Sequence, residues 1–479
     1  MPPYAVPAPQ LRHVLSRFSY GVTPSLVAQA RAAGGARAWF DQQLDPARIE
    51  DQAATQMRSW FPYLDRTPAS LWDEHKAGGR QGSEVAKDLQ RWTLLRRTYS
   101  KHQLLETMVE FWSNLLHVPA PEPKCWPQRT AYDGVVRQHA LGTFADMLVA
   151  CDTHPAMGCY LDNAVSTGEK LNENLGRELL ELHTVGIVGD FTEDEVRDSA
   201  RILTGYTCDR FRTWAAVYSR AAHSTGAVQV LGFTDANASD DGRAVTERYL
   251  RYLAHHPATA RRIAHRLAVR FVSDTPPDAL VTRVAMAYTA SGTDIRSTLR
   301  ALVDSPEFAA SVDLKTKTPT EDGVATYRAL GVTVSAPVSV DSAANALAFQ
   351  ISTIGQSPFD WSRPDGFPDI TEAWTSSSRM LGSWHVHWAV AGGFWPTSGI
   401  THRPVASWLP TLPARFDVVV DHVTRQITAR AATAQMIAAA TAFAGISAAT
   451  QITRSADLSS FRMTKLLSVI LDSPAHMSR

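Results

Sequence analysis

Residues 172 to 206 hold the densest group of side chains that could carry out chemistry. Asn174, Arg177, Glu178 and Glu181 are spaced so that a helix, at about 100° per residue, turns all four towards one face. Two carboxylates three positions apart can bind a metal ion together, and close carboxylates can also divide the roles of acid and base. Another face is apolar and consists of Leu175, Leu179 and Leu182. The stretch therefore predicts a helix with one core face and one polar face.

His183 follows this group and first looks like a part of it. On an undistorted helix it lies nearly opposite Asn174, which puts it on the wrong face to share an ion with Glu181. It also stands just before Gly186, and glycine commonly ends a helix. The sequence therefore predicts that His183 is a helix-end residue with a structural role.

A metal centre is the leading interpretation of the polar face. Imidazoles from neighbouring segments would join Glu178 and Glu181 in a mixed oxygen and nitrogen site suited to iron, manganese or zinc. The candidate imidazoles are those of His154, His117 and His139. No Glu-x-x-His or His-Glu-x-x-His motif is present, so the ligand set depends on how the helices pack. The hypothesis is an enzyme with metal-assisted oxidative or hydrolytic chemistry, whose predicted catalytic residues are Glu178, Glu181, Arg177 and Asp162.

Amide, aromatic and acidic side chains around this face are predicted to bind a small-molecule, glycan or peptide substrate. They are Trp112, Asn163, Asn172, Asn174 and Asp365. A second hypothesis is a metal-free carbohydrate hydrolase, in which Asp162, Glu178 and Glu181 supply acid and base beside a tryptophan-rich loop. Glycosidases need carboxyl groups about 5 to 10 Å apart, a separation that depends on the fold.

A non-catalytic interpretation explains the same residues as a buried polar network. Asn172, Asn174, Arg177, Glu178 and Glu181 would then tie helices to the turn at residues 154–163. His154, which precedes Pro155, would cap that turn. The protein would in that case be a scaffold or a partner of a neighbouring enzyme.

Other chemistries lack their motifs. The chain has no Gly-x-Ser-x-Gly nucleophile elbow, no glycine-rich phosphate loop and no dinucleotide fingerprint. Cys151 and Cys159 lie in apolar helical patterns typical of core thiols. The four cysteines form no Cys-x-x-Cys pair, so a structural zinc site of that kind is not predicted.

The composition is that of an ordinary globular protein. The 479 residues include 47 basic and 47 acidic side chains, so no broad positive field favours nucleic acid or an anionic membrane. No apolar run approaches the roughly 20 residues that span a bilayer. The first ten residues lack a basic start and an apolar core, so no secretory signal is predicted. We expect a cytoplasmic protein with free thiols.

Helical periodicity dominates the chain, and the signal for strands is weak. We predict a mainly α fold, a large multi-helix domain with minor β or irregular segments. Three parts are expected: an N-terminal helical segment at 1–75, a central helical core with the polar cluster at 88–232, and a C-terminal helical region at 243–479. The last contains a long aromatic loop at 355–374. Helix 105–117, turn 154–163 and helix 172–184 are predicted to surround one polar cleft.

Blocks along nearly the full length resemble the DUF1800 family, a bacterial family without an assigned function. They include Leu15-Ser-Arg-Phe-Ser-Tyr-Gly21, Met108-Val-Glu-Phe-Trp-Ser-Asn114, His154-Pro-Ala-Met157, Ala200-Arg-Ile-Leu-Thr-Gly-Tyr206 and Pro364-Asp-Gly-Phe-Pro368. The resemblance implies a large, mainly helical fold. It also implies genes beside a sulfatase-like family, DUF1501, which makes a DUF1501-like protein a candidate partner.

The chain departs from this family pattern after its Phe-Trp pair. Many relatives carry a histidine where this chain has Leu115, and some carry another where it has Ser113. His117 is the nearest imidazole here. If the relatives' histidines bind metal, this chain uses His117 or lacks that ligand.

Overall fold

The computed structural model describes residues 4–187 and 189–479. Residues 1–3 of the predicted N-terminal segment, and Val188, lie outside the described residues. The described chain is mainly α-helical, and its strands form only short antiparallel pairs, so the predicted fold class is confirmed.

The helices follow the predicted periodicity along the chain. Those of the N-terminal region are α1 (Pro9–Arg17), α2 (Pro24–Ala32), α3 (Ala36–Gln43), α4 (Gln52–Gln56) and α5 (Pro68–Lys76). Those of the middle are α6 (Gly82–Tyr99), α7 (Gln103–Leu115), α8 (Arg129–His139), α9 (Phe144–Asp152), α10 (Pro155–Tyr160), α11 (Asn174–Glu178) and α12 (Glu193–Leu203). Those of the remainder are α13 (Arg243–His255), α14 (Pro257–Phe271), α15 (Asp278–Ala290), α16 (Ile295–Val303), α17 (Pro306–Ala310), α18 (Pro319–Leu330), α19 (Ala343–Ile354), α20 (Ser377–Ala391), α21 (Phe416–Thr428), α22 (Ala434–Ala444), α23 (Ser460–Leu471) and α24 (Pro474–Met477).

Four two-stranded antiparallel pairs connect helices. They are β1 (Tyr206–Cys208) with β2 (Ala216–Tyr218), β3 (Val228–Val230) with β4 (Phe233–Asp235), β5 (Thr333–Val334) with β6 (Ile400–Thr401), and β7 (Ala414–Arg415) with β8 (Gln451–Ile452). Each strand has only two or three residues, so these pairs stabilise loops and form no core of their own.

Two large apolar cores divide the molecule. The first contains buried side chains between Leu11 and Phe308. The second lies mainly between Val324 and Leu471, with Tyr20 and Leu94 added from earlier helices. The extents of the two cores differ from the boundaries of the three predicted parts. The three-part division therefore stays a prediction.

Buried ion pairs link the helices of the two cores. Arg270 on α14 places Nη2 3.1 Å from Oε2 of Glu110 on α7 and 2.9 Å from Oε1 of Glu321 on α18. Its Nη1 lies 3.3 Å from Oδ1 of Asp369. Arg479, near the end of the chain, pairs with Glu321 and Asp369 as well. A buried charge is stable only with its partners, so these ion pairs fix how the two cores meet.

Helices α11 and α12 lie unusually close together at Gly176. A Cβ at this position would stand 2.7 Å from the backbone nitrogen of Ala200, so only glycine allows the approach. Ser199 donates a hydrogen bond to the Gly176 carbonyl at 3.2 Å. The start of α12 is the expected capping box of Thr192 and Glu195. Both helices are thereby held against each other beside the predicted polar face.

The helix that begins as α11 widens into a π-helix at Leu179–His183. Its end is closed by the Thr184 hydroxyl, which donates to Leu179 O at 2.6 Å, and by the Gly186 amide, which donates to Leu180 O at 2.9 Å. A π-turn holds one extra residue, so side chains after it are rotated by roughly 100° relative to a continuous α-helix. The undistorted helix assumed for His183 was therefore wrong.

Candidate functional site

His183 is turned into the protein interior by the π-helix. Its side chain is fully buried, and Nδ1 lies 2.8 Å from Oδ1 of Asp152 at the end of α9. A carboxylate only accepts hydrogen bonds, so Nδ1 carries the proton and Nε2 has the free lone pair. Within the described residues, neither Nε2 of His183 nor Oδ2 of Asp152 has a hydrogen-bond partner. An imidazole held in this way is ready to accept a proton or to bind a cation.

Among the predicted carboxylates, Glu178 has the surroundings that best suit a functional acid. It is half-buried, and the described chain offers it no hydrogen-bond partner. Burial raises the pKa of Glu178, and the charges of Glu181 and Asp365 raise it further. Arg177 acts against this rise, and so does His183 when its ring is protonated.

Asp365 reaches this place from the aromatic loop. Its Oδ1 accepts a hydrogen bond from Trp361 Nε1 at 2.7 Å, and its Oδ2 lies 3.2 Å from Arg363. The loop is anchored to the segment after α7, since the Ala120 amide donates to Phe359 O at 2.9 Å. The loop at 355–374 therefore brings a second acidic group beside Glu178.

Arg266 and Tyr160 complete the surroundings of Glu178 and Asp365. Burial lowers the pKa of the Arg266 guanidinium, and the charges of Asp369 and Asp365 oppose this shift. Burial also raises the pKa of Tyr160, with contributions from Glu122, Glu178 and Asp365. Glu178 and Asp365 thus share Tyr160 as a neighbour, and the charge of Asp365 also acts on the buried Arg266.

Arg177 and Glu181 point away from His183, towards α12. Arg177 binds Glu193 with both terminal nitrogens, at 3.0 and 2.6 Å, and lies 3.6 Å from Glu181. These side chains are partly exposed, and such pairs contribute little to stability. Arg177 and Glu181 therefore lie towards the solvent, while Glu178 lies towards the interior. The three residues do not form the shared catalytic face that the sequence predicts.

A small cavity of about 220 Å³ lies on the other side of Asp152. His154 lines it and caps α10, because its Nδ1 accepts from the Ala156 amide at 3.1 Å. Asn163 lines it too, with Nδ2 donating to Leu203 O at 3.0 Å while its buried Oδ1 has no partner in the described chain. Burial, helped by Arg129, lowers the pKa of His154 to about 4. The predicted capping role of His154 matches this geometry, and the cavity presents acceptor oxygens from Asp152 and Asn163.

Both ring nitrogens of His117 lie close to backbone carbonyl oxygens. Nε2 lies 2.9 Å from Trp361 O and Nδ1 lies 3.3 Å from Ser113 O. Burial lowers the pKa of His117 to about 4, so the neutral ring donates to one of these two carbonyls. Leu115, where many relatives carry histidine, is buried in the first core. The ring of His117 holds the aromatic loop and does not face Glu178 as a metal ligand would.

The remaining predicted residues lie outside the His183 region. Trp112 is fully buried and donates from Nε1 to Ala140 O at 3.0 Å, so its predicted contact with a substrate does not fit its place in the core. Asp162 pairs with Lys124 at 2.9 Å near the surface. Asn172 accepts from the Asn174 amide at 2.9 Å, which makes both residues part of the helix start.

A second cluster of imidazoles and carboxylates was missed from the sequence. Asp322 on α18, His387 on α20 and His476 on α24 place their ligand atoms within 4.8 Å of one another. Nε2 of His387 lies 3.1 Å from Oδ1 of Asp322, and Nδ1 lies 2.7 Å from Asp472. These residues come from three parts of the chain, near 322, 387 and 472–476, so no local spacing could reveal the whole cluster.

Charge decides how this second cluster is held together. Arg379 lies 3.4 Å from Asp322, and buried Lys317 donates to the His476 carbonyl. Burial alone would lower the pKa of His387, but Asp322 and Asp472 outweigh it and raise the pKa to about 9. The imidazolium therefore supplies positive charge beside two further cations. A divalent ion would add uncompensated charge here, so we interpret this cluster as a buried ion network.

Comparison with known proteins identifies the family of this chain. The model of the family described as "Protein of unknown function (DUF1800)" matches residues 13–478. The chain therefore belongs to the DUF1800 family, as its sequence blocks predicted. No curated protein and no solved structure matches it. Among the described residues, no helix is both long and apolar enough to cross a membrane.

Proposed function

We propose that this member of the DUF1800 family is a metal-assisted enzyme whose reacting groups are His183 and Glu178. One observation carries the proposal. Nε2 of His183 is buried and unpartnered among the described residues, while Asp152 holds Nδ1 at 2.8 Å. A buried polar atom without a partner costs about 1–3 kcal/mol, so such an atom calls for an explanation. A π-turn at this position supports a functional one, because π-bulges occur frequently at functional sites.

The two carboxylates beside the ring prepare it and Glu178 for a cation. Asp152 fixes the orientation of the His183 ring and keeps the proton on Nδ1, so the lone pair of Nε2 is free to bind an ion. Burial raises the pKa of Glu178, and a bound cation would lower it again.

We propose that Glu178, His183 and Asp365 would hold the cation, which would have to draw their ligand atoms together, since in the described chain these do not all lie within 4.8 Å of one another. Carboxylate oxygen and imidazole nitrogen suit zinc, iron or manganese, and Asp152 takes the place of the carboxylate that orients a ligating histidine. The charges of Glu181 and Asp365 near Glu178 favour a cation here, whereas Arg379 and the imidazolium of His387 oppose one at the Asp322 cluster. Such an ion would act as a Lewis acid on a scissile bond, and iron or manganese would extend the chemistry to oxidation.

Elemental analysis of purified protein tests the proposal. We expect about one zinc, iron or manganese ion per chain in the wild type and a loss of that ion in E178Q and H183N. The matched control is H387N, which removes the other buried histidine paired with an aspartate and should leave the metal content unchanged. Circular dichroism confirms that each variant is folded. A wild type without stoichiometric metal, or an unchanged content in E178Q, contradicts the metal centre.

A metal-free carbohydrate hydrolase is a second candidate. The observation in its favour is that Glu178 and Asp365 interact as a carboxyl pair beside Trp361, a ring that could stack on a sugar. This candidate predicts that binding of an oligosaccharide survives removal of metal by a chelator and is weakened by W361A. Loss of binding on chelation contradicts it.

A partner protein is the third candidate, and an exposed aromatic surface supports it. Phe443 and Phe461 are 44% and 53% exposed, and both contact Trp388 at ring-centroid distances of 6.1 and 5.8 Å. We propose a DUF1501-like protein as the occupant. Co-expression with such a protein should yield a complex that F443S/F461S disrupts and E178Q preserves. A complex unaffected by the double variant would show that this surface does not bind the partner.

The four cysteines are free thiols, and free thiols support a cytoplasmic location for each of the three candidates.

A further inference from the structure

A cavity of about 690 Å³ is lined by residues from several separate parts of the chain. It is formed by the start of α2, the turn between α6 and α7, the end of α18 and the middle of α21. Its volume is within the range of roughly 300–1,000 Å³ that is usual for sites of small molecules. The proposed enzyme centre contributes none of its residues to the walls of this cavity.

The charge of the walls is entirely positive. Lys101, Arg328 and Arg403 line the cavity, and its lining includes no aspartate or glutamate. Each of these cations lacks a carboxylate partner in the part of the chain that the structure describes. Arg328 donates to Thr98 O at 2.7 Å, and Arg403 donates to neutral oxygens, among them Gln426 Oε1 at 2.9 Å.

Nearby carboxylates are engaged elsewhere. Asp51 accepts hydrogen bonds from the Ser100 hydroxyl and from the backbone amide of Lys101. Asp421 on α21 pairs with Arg425 at 2.7 Å. Burial lowers the pKa of Arg328 to about 10, which leaves it cationic at neutral pH. The positive field of the cavity is therefore not cancelled from within the protein.

His422 provides an independent sign that a ligand belongs here. Its side chain lines the cavity and is only 3% exposed. Neither of its ring nitrogens has a hydrogen-bond partner in the described chain, and the same holds for Nε of Arg328. Buried polar atoms of native proteins are nearly always paired, so the free N–H of the His422 ring and Nε of Arg328 indicate a missing acceptor. An anion would accept from both donors.

The rest of the walls defines the body of such a ligand. Leu26 and Val332 give apolar contacts, and the rings of Tyr99 and Tyr327 add aromatic surface. Guanidinium groups bind carboxylate and phosphate groups through paired N–H donors. We propose that this cavity binds a small organic anion, a phosphate monoester or a carboxylate with an apolar body. Three cations match the two negative charges of a phosphate monoester better than the single charge of a carboxylate.

Isothermal titration calorimetry of the full chain with phenyl phosphate, benzoate, inorganic phosphate and benzyl alcohol tests this proposal. We expect phenyl phosphate to bind most tightly, benzoate and inorganic phosphate more weakly, and benzyl alcohol not measurably. The affinity for phenyl phosphate should fall as salt concentration rises, because the attraction is screened. Absence of binding by both organic anions at millimolar concentration, or equal binding of benzyl alcohol, overturns the proposal.

Variants locate the binding. K101M removes an exposed and unpaired charge, and we expect about tenfold weaker binding of phenyl phosphate. The matched control is K170M, since Lys170 is also exposed and without an ion pair but does not line the cavity. H422F should weaken binding without lowering the melting temperature, because the imidazole has no hydrogen bond to lose. Equal affinities in wild type, K101M and H422F would place the anion elsewhere and refute the proposed cavity.

Discussion

Nδ1 of His183 lies 2.8 Å from Oδ1 of Asp152, and both side chains are fully buried. His183 belongs to the π-helix, and Asp152 lies at the end of α9, 31 positions earlier in the chain. This pair fixes the tautomer of the ring and directs the lone pair of Nε2 away from Asp152. Helical spacing predicts a structural role for His183, whereas this geometry supports the functional role that we propose.

Replacement of Asp152 tests whether this carboxylate sets the tautomer. D152N replaces an acceptor by an amide that can also donate, so the proton on His183 should move from Nδ1 to Nε2 in part or all of the molecules. Nitrogen NMR of ¹⁵N-labelled histidine measures that shift. D152A should also lower the free energy of unfolding by about 1.5–3 kcal/mol, the usual contribution of a hydrogen bond to a charged group. An unchanged tautomer in D152N would contradict the assigned role.

Glu178 should destabilise the folded protein at neutral pH. Because burial raises its pKa in the folded state, the folded protein binds this proton more tightly than the unfolded chain does. The stabilising contribution is complete below the unfolded pKa of 4.5 and is lost as pH rises through the higher folded pKa. In protein freed of metal by a chelator, E178Q should therefore melt at a higher temperature than the wild type at pH 7, and the two should converge below about pH 4.

The control for this measurement is E181Q. Glu181 lies 3.6 Å from Arg177 and faces solvent, so its replacement removes an attractive pair of small value and should not raise the melting temperature. If E178Q is no more stable than the wild type at pH 7, the carboxylate has a favourable partner in solution. That result would favour the buried-network interpretation over a functional acid.

His387 should make stability depend on pH in the alkaline range. Asp322 and Asp472 raise its folded pKa to about 9, above the unfolded value of 6.5. The extra stability is fully present below pH 6.5 and is lost as pH rises through about 9. H387N should lower the free energy of unfolding at pH 6 by about 3–5 kcal/mol, because it leaves buried carboxylates without their partner.

The same comparison at high pH tests the assignment of charge. Near pH 10 the wild-type imidazole has lost its proton, so the difference between wild type and H387N should be much smaller there. Denaturant unfolding followed by circular dichroism at both pH values measures the two differences. A difference that stays constant with pH would mean that His387 is neutral throughout, and would make the cluster a better candidate for a metal.

Arg270 should be among the most important residues for joining the two cores. R270M removes the cation shared by Glu110, Glu321 and Asp369, and we expect a loss of about 3–5 kcal/mol in the free energy of unfolding. R261M serves as the control, because Arg261 forms an exposed pair with Asp278 and should matter by less than about 1 kcal/mol. Equal effects of both substitutions in urea denaturation would show that the buried pairs do not hold the cores together.

Local patterns determined the helical character of the chain and several of its boundaries. Spacing of apolar residues predicts the mainly α fold, since each helix must bury one face. Thr192 and Glu195 mark the start of α12, because a capping box depends only on residues three positions apart. Leu175 and Leu179 are buried as their helical face requires. These features follow from interactions within one turn or one helix, which a sequence records directly.

Only the tertiary structure decided which polar groups meet. A single π-turn rotates His183 towards Asp152 and leaves Arg177 and Glu181 with Glu193, and helical spacing does not reveal where an extra residue enters a turn. The aromatic loop adds Asp365 to Glu178, although nearly 190 residues lie between them in the chain. Such contacts depend on how separate helices and loops pack around two cores. The sequence therefore named Glu178 and Asp365 as functional candidates, while only the fold paired His183 with Asp152.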